Sequence, residues 1–434
     1  MAGTTTTHSP YKQHNHLQRN PGRLARAYTF LITVLLLISA VSIEDSEAQS
    51  RAYEFLPAPD LWYNDVDGIR VGVRVKGQMR GTFDDGPHRL DGGLWLSTWF
   101  PSTPVSYYLK YTNPIPRWSD YGNEANYQVT SSIRTGYHIH GVGLNKRWQE
   151  GFDERKYREI GITTNFEKRF DDEYVQFPVL WSDQSKILTK LTYESQSENR
   201  FGWANLAASG SVQYLDDTYG IFEATATQRV PLNENWGFRF RSFLGIASSQ
   251  TAPEYLFSRS SAPAISWMDN GMTRAKGTIP QPWMTSGNVQ VAGGANLRGY
   301  TDRDVNSYQN ASTNSFLYNS IAAVNAEFDY PNPINSLFNA IPYASEFLTF
   351  NSYLFYDAGS GIRNNRFVGI DNNNEGIFSD AGAGFSLTLN IPDYLGKPRG
   401  FVFRYDIPFW LSEPGTEDAF KFRSLFAFGA IISL

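Results

Sequence analysis

From Gly68 to Met79 the chain reads GIRVGVRVKGQM, so Ile69, Val71, Val73 and Val75 alternate with Arg70, Gly72, Arg74 and Lys76. An extended strand separates those two sets onto opposite faces, whereas a helix would mix them. The pattern recurs along the chain. Val105, Tyr107, Leu109 and Tyr111 alternate with Ser106, Lys110 and Thr112; Trp236, Phe238, Phe240, Leu244 and Ile246 alternate with Gly237, Arg239, Arg241 and Gly245. Near the end, Phe401, Phe403, Tyr405 and Ile407 alternate with Val402, Arg404 and Asp406, and a last strand is expected to carry Phe422, Phe426, Phe428, Ala430, Ile432 and Leu434 on one face. Turn chemistry separates such segments, at Asp84-Asp85-Gly86-Pro87, Thr112-Asn113-Pro114, Asp216-Asp217 and the run Asp371 to Gly376.

One run is frankly apolar. Phe30 to Val41 reads FLITVLLLISAV, preceded by Arg19, Arg23 and Arg26 with no acidic residue before it. It is shorter than the roughly 20 residues that a bilayer span needs. A basic start, a short apolar run and then Ser46-Glu47-Ala48 predict a secretory signal over residues 1–48; an uncleaved N-terminal anchor is the alternative. No other stretch suits a membrane helix, so a membrane-embedded chain of this kind must satisfy its backbone between strands, as a closed barrel does. Alternating segments of about ten residues are the signature of a transmembrane barrel. A soluble sandwich or propeller also alternates, but here the outward faces are rich in Phe, Tyr and Val in strand after strand. The expectation is an all-β, antiparallel transmembrane barrel over residues 68–434. A short periplasmic lead-in over 49–67 precedes it, and a long loop over 250–300 is rich in Ser, Pro, Gly and Met.

That loop ends in Gly293-Gly294-Ala295-Asn296-Leu297-Arg298-Gly299-Tyr300. Here the chain resembles the BamA/TamA-like superfamily of bacterial surface-antigen barrels, whose sixth extracellular loop folds into the barrel and carries a Val/Leu-Arg-Gly-Tyr/Phe motif after paired glycines. Leu297, Arg298, Gly299 and Tyr300 match all four positions. Val324-Asn325-Ala326-Glu327-Phe328 and Phe355-Tyr356-Asp357-Ala358-Gly359 look like the family's next two strands. The resemblance implies that Arg298 pairs in the lumen with acidic residues on those strands, Glu327 and Asp357. The strand phase agrees, since Val324, Ala326 and Phe328 leave Glu327 on the polar side. Three ordinary lumen charges are the plainer alternative. The resemblance further implies sixteen strands and a terminal assembly signal, Gly-x-x-apolar-x-aromatic. Gly429, Ile432 and Leu434 fit that signal, with Leu434 replacing the usual aromatic.

Much chemistry is excluded. With no cysteine among 434 residues, there are no disulfides, thiolate metal sites or cysteine nucleophiles. A net charge of −5 argues against nucleic-acid binding. His-Glu-x-x-His, Gly-x-Ser-x-Gly and phosphate-loop motifs are missing. His138 and His140 share a strand face but read as lumen polar residues, and no Ser/His pair facing lipid is evident. The segment Asp371-x-Asn373-x-Glu375-Gly376 resembles a calcium loop, yet Gly382 stands where the twelfth-position Glu belongs. The expectation is therefore a non-enzyme without cofactor, catalytic residue or metal site. Its partners would be outer-membrane lipid and, in keeping with the resemblance, a periplasmic protein and unfolded outer-membrane or secreted proteins. The roughly twenty residues of lead-in are too few for the periplasmic POTRA domains that assembly members carry, since chains that short rarely fold alone. Insertion or translocation of proteins with a separate periplasmic partner, a passive pore, and an anchor for a periplasmic protein all follow from this reading.

Overall fold

The computed structural model describes residues 53–79, 89–149, 151, 153, 155–233, 236–332, 334, 347–363, 376–392 and 398–429. The expected signal segment 1–48, the turns at 84–87 and 371–375, and Ile432 and Leu434 of the terminal signal lie outside them. The described strands form one 17-stranded sheet. The first eight are β1 (Tyr53–Asn64), β2 (Gly68–Met79), β3 (Arg89–Ser97), β4 (Val105–Pro114), β5 (Asn123–Arg134), β6 (Tyr137–Gln149), β7 (Tyr157–Arg169) and β8 (Lys186–Asn199). There follow β9 (Gly202–Gln213), β10 (Tyr219–Pro231), β11 (Gly237–Ala247), β12 (Val289–Gln290), β13 (Tyr318–Tyr330), β14 (Leu348–Arg363), β15 (Phe378–Pro392), β16 (Pro398–Leu411) and β17 (Leu425–Gly429).

Sixteen of these form an antiparallel meander in which each strand pairs with the next, β11 passing directly to β13. The two-residue β12 belongs to the long connection and pairs in parallel with β17. Sixteen wall strands is the number expected. Because direction alternates, the connections 65–67, 98–104, 135–136, 170–185, 214–218, 248–317 and 412–424 share one rim, here termed the loop rim.

Two boundaries differ from expectation. Residues 53–64, expected within the lead-in, are a full strand in unbroken register with β2, from Tyr53↔Met79 to Asn64↔Gly68. Pro57 and Pro59 obscured it, since proline demotes a strand pattern. Phe422 lies in the 412–424 connection and not on the last strand. The long loop also runs past its motif, through a helix at Thr301–Asn310, before the chain re-enters the wall at Tyr318.

The polarity is inside-out. Val71, Val73, Leu94, Val142, Leu144, Ile160, Ile162, Leu191, Leu206, Phe240, Leu244, Val324 and Leu354 are exposed, Val142 to 61%. The intervening positions bury Arg70, Asn126, Glu167, Arg169, Arg241, Asn325, Glu327, Asp357, Arg404 and Asp406, with Asp357 wholly buried. Water would not tolerate so continuous an apolar belt, and an apolar interior would not tolerate so many charges. A lipid exterior around a polar lumen satisfies both, so the fold is a transmembrane antiparallel β-barrel.

Ile162 lies midway along β7 on the outward face. Ile162→Arg should cost about 2–4 kcal/mol in denaturant unfolding from lipid vesicles, the penalty for a cation at mid-bilayer depth. A cost below about 0.5 kcal/mol, the range of ordinary surface changes, would contradict this placement of the wall in lipid.

Candidate functional site

The lumen is filled by the 248–317 connection, and the sequence dictates how. Gly293, Gly294 and Asn296 adopt φ of +138°, +58° and +60°, conformations that glycine reaches freely and asparagine tolerates. A Cβ at Gly293 would also lie 2.8 Å from the Ala262 side chain. The turn delivers Leu297, Arg298 and Tyr300 into full burial, with Leu297 donating its amide to the Arg259 carbonyl at 2.8 Å. Gly299 slides between two wall strands. A Cβ there would stand 2.3 Å from Leu411 and 2.8 Å from Asp380.

Arg298 meets carboxylates from three strands. Its Nη2 lies 2.7 Å from Glu327 Oε1 on β13, its Nε 3.0 Å from Asp357 Oδ2 on β14, and its Nη1 3.4 Å from Asp406 Oδ1 on β16. The guanidinium also faces the Phe355 ring, 4.1 Å from its centroid. The planar fork of arginine suits this, because it offers donors in several directions at once. Both residues singled out from the sequence, Glu327 and Asp357, are thus brought against Arg298, together with one that was not, Asp406.

A wider network surrounds the contact. Arg239 joins Glu327 at 2.9 Å and Asp329 at 2.6 Å. Arg404 joins Asp406 at 2.7 Å, and the Tyr353 hydroxyl donates to Asp406 at 2.7 Å. Asn325 donates to Asp357 at 3.0 Å and to the Ala295 and Asn296 carbonyls, while accepting from Arg241 at 3.0 Å. Asn325 therefore ties the loop backbone directly to the wall. The signal for the missed residues was present as the polar phase of β11 and β16; what a lone sequence lacks is the register that sets them beside one another.

The remaining motif residue, Tyr300, packs edge-on to Phe378 and donates to the Ser379 carbonyl at 3.2 Å. A second loop contact sets Arg259 on Asp304 at 2.7 Å, with Ser260 donating its amide and hydroxyl to the same carboxylate. The loop's opening residues fasten to the opposite wall. Lys186 on β8 meets Glu254 at 2.5 Å, and Tyr255 and Tyr137 both donate to Glu167. The loop thus crosses the lumen and is fixed at both sides. Gly429, from the terminal signal, ends β17, with its backbone opposite Val402.

His138 and His140 depart from expectation. They share the phase of the exposed Val142 and Leu144, so they face outward and not into the lumen. His140 Nδ1 lies 2.9 Å from Ser131 Oγ, which lies 2.9 Å from the Tyr107 hydroxyl. A Ser/His contact on the lipid side is therefore present, built across β4, β5 and β6 where local sequence could not show it. Among the described residues no group of three or more His, Asp or Glu is arranged to hold a metal ion.

Removing Arg298 would leave buried carboxylates without their cation. Arg298→Ala should lower unfolding stability by about 3–5 kcal/mol, the cost of breaking a buried pair, with Arg298→Lys falling between. Urea unfolding in detergent micelles, followed by the heat-modifiable mobility of the folded barrel, measures this. A change under about 1 kcal/mol, the worth of an exposed ion pair, would contradict the contact.

No protein-family model and no curated protein matches the chain. Among solved structures it is similar to BamA from Haemophilus ducreyi lacking POTRA domains 1–3, at 14% identity and a TM-score of 0.46, over 87% of this chain and 69% of that one. It is also similar to CdiB from Acinetobacter baumannii, at 11% identity and a TM-score of 0.36, over 88% of this chain and 59% of that one. With its all-β barrel and its inward-folded Leu-Arg-Gly-Tyr loop, the chain resembles the BamA/TamA-like surface-antigen barrels.

Proposed function

We propose that the chain is an integral barrel of the bacterial outer membrane that acts in inserting proteins into that membrane or translocating them across it, together with a separate periplasmic partner, and that it is not an enzyme. The loop rim faces outward from the cell, and the outward-facing apolar belt is solvated by lipid. The observation that carries this reading is the lumenal contact of Arg298 with Glu327, Asp357 and Asp406. It supports a loop held inside the barrel, the arrangement that the family resemblance associates with handling proteins. A passive pore fits less well, because the loop's buried side chains, among them Phe257, Leu297, Tyr300 and Tyr308, pack into an apolar core within the barrel. That is an expensive way to build a conduit.

Depletion of the chain in its host, followed by quantitative proteomics of the isolated outer membrane, tests the proposal. Loss of a defined set of outer-membrane or surface proteins is expected and would name the cargo. An unchanged outer-membrane proteome would overturn the assembly reading in favour of an anchor or a pore.

A further inference from the structure

Arginines line the lumen in two different ways. On β13, β14 and β16 the acids are at hand, and Arg298, Arg239 and Arg404 each meet a carboxylate. On β2 to β5 the arginines rest on aromatic rings instead. The Arg70 guanidinium stands 5.0 Å from the centroid of Trp95, and the Arg134 guanidinium stands 4.5 Å from that of Tyr108. All four residues take the inward phase of their strands, opposite in parity to the exposed Val71, Leu94, Val105 and Val129.

Glycines build the first of these seats. Gly72 lies opposite Trp95 in the strand register, and Gly93 precedes it by two residues on β3. A Cβ at either would run into the Trp95 ring, so the indole occupies the space that two side chains would fill. Its N–H donates to Asp60 at 2.6 Å, which fixes the ring. A ring face holds a guanidinium through its quadrupole and uses none of the N–H donors. Arg70 shows the consequence. It is 5% exposed, yet its Nε and Nη1 have no hydrogen-bond partner among the described residues. A buried charged donor left unmade is costly. The acids that act on Arg70 are committed to other donors: Asp60 to Trp95, and Asp67 to Asn64, Ser97 and Tyr174 at 2.7, 2.6 and 2.7 Å.

The loop adds a third guanidinium to the same place. Arg274 donates to the Met268 and Asp269 backbone carbonyls, at 2.5 and 3.5 Å, and these aim it. Arg134, Arg70 and Arg74 repel it, while the Asp269 carboxylate attracts it. Arg74 takes the inward phase of β2 and is nevertheless exposed, as is Asp269, so water reaches this part of the lumen. Arg274, Arg134, Lys190 and Lys110 all act on Asp269. None of them closes to an ion pair with it among the described residues. One carboxylate thus stands among several cations without satisfying any.

We propose that Arg70, Arg74, Arg134 and Arg274 form a lumenal site for a phosphate dianion, with the loop carboxylate of Asp269 competing for the same cations. Several guanidiniums around one carboxylate favour an ion that carries more than one charge. The tetrahedral oxygens of phosphate can meet more than one guanidinium, each through a planar fork of N–H groups. The rings hold Arg70 and Arg134 in place beforehand, so little side-chain freedom is lost on binding. The wall separates the site from lipid, so the ion arrives through water and not from a bilayer headgroup. The site shares no residue with the Arg298 contact and does not depend on the assembly reading.

Equilibrium dialysis of the full-length protein in detergent against radiolabelled inorganic phosphate tests this. Saturable binding is expected. Arg70→Gln and Arg134→Gln should each weaken it about tenfold or more, the worth of a charge-assisted hydrogen bond. Asp269→Asn should tighten it about fivefold, because one like charge leaves the neighbourhood of the ion. Arg158→Gln, which changes an exposed cation at the far end of β7, should leave it unaltered. Heat-modifiable mobility confirms that each variant is folded. If the arginine variants do not fold, Asp269→Asn decides, since an unchanged or weaker affinity there would overturn the site. Binding that does not saturate, that survives both arginine changes, or that falls equally with Arg158→Gln would also overturn it.

Discussion

A guanidinium sealed from water needs carboxylates around it, and Arg298 has three within 3.4 Å. Burying one ion without partners costs several kcal/mol, so neither the arginine nor the acids are tolerable alone. That requirement organises the second half of the barrel. It fixes the inward phase of β13, β14 and β16, because Glu327, Asp357 and Asp406 must all face the same point. It demands the left-handed turn at Gly293, Gly294 and Asn296, which aims the arginine at them. It excludes a side chain at Gly299, where the loop passes between Leu411 and Asp380. The loop's apolar residues then pack as a core inside a wall whose own apolar face is turned outward.

The barrel is held by two different solvents, and each polar layer has its own logic. Inside, charges meet charges, as Arg239 and Arg404 show beside Glu327 and Asp406, and Arg241 donates to the Asn325 amide. Outside, hydroxyls and imidazoles satisfy one another laterally, through Tyr107, Ser131 and His140 in one row and Thr164, Thr189 and Tyr214 in another. Both rows lie in the half of the wall nearer the loop rim, where amphipathic side chains suit the passage from hydrocarbon to headgroup.

How much of this was legible follows from which signals are local. Alternation is local, so β2, β4, β11 and β16 could be read directly, and with them the inward phase of Glu327 and Asp357. The loop motif is also local, and it pointed to Arg298. Register is not local. Nothing near Asp406 says that it lies beside Arg298, 108 residues away, and nothing near His140 says that Ser131 is its neighbour across a strand pair. The phase of His138 and His140 was misread because two polar residues resemble a lumen face, although Val142 and Leu144 continue the same side outward. β1 was missed because Pro57 and Pro59 suppress the strand pattern, yet on an edge facing the barrel's joint they break no ladder.

The central claim is that Arg298 and the wall acids form one coupled unit and are not merely charges sharing a lumen. A double-mutant cycle on Arg298→Ala and Asp357→Asn, with unfolding free energies measured in lipid vesicles, tests it directly. Contacting charges predict a coupling energy of about 1–3 kcal/mol, the double variant being less destabilised than the sum of the singles. Additivity within about 0.5 kcal/mol, the behaviour of separated sites, would contradict the account.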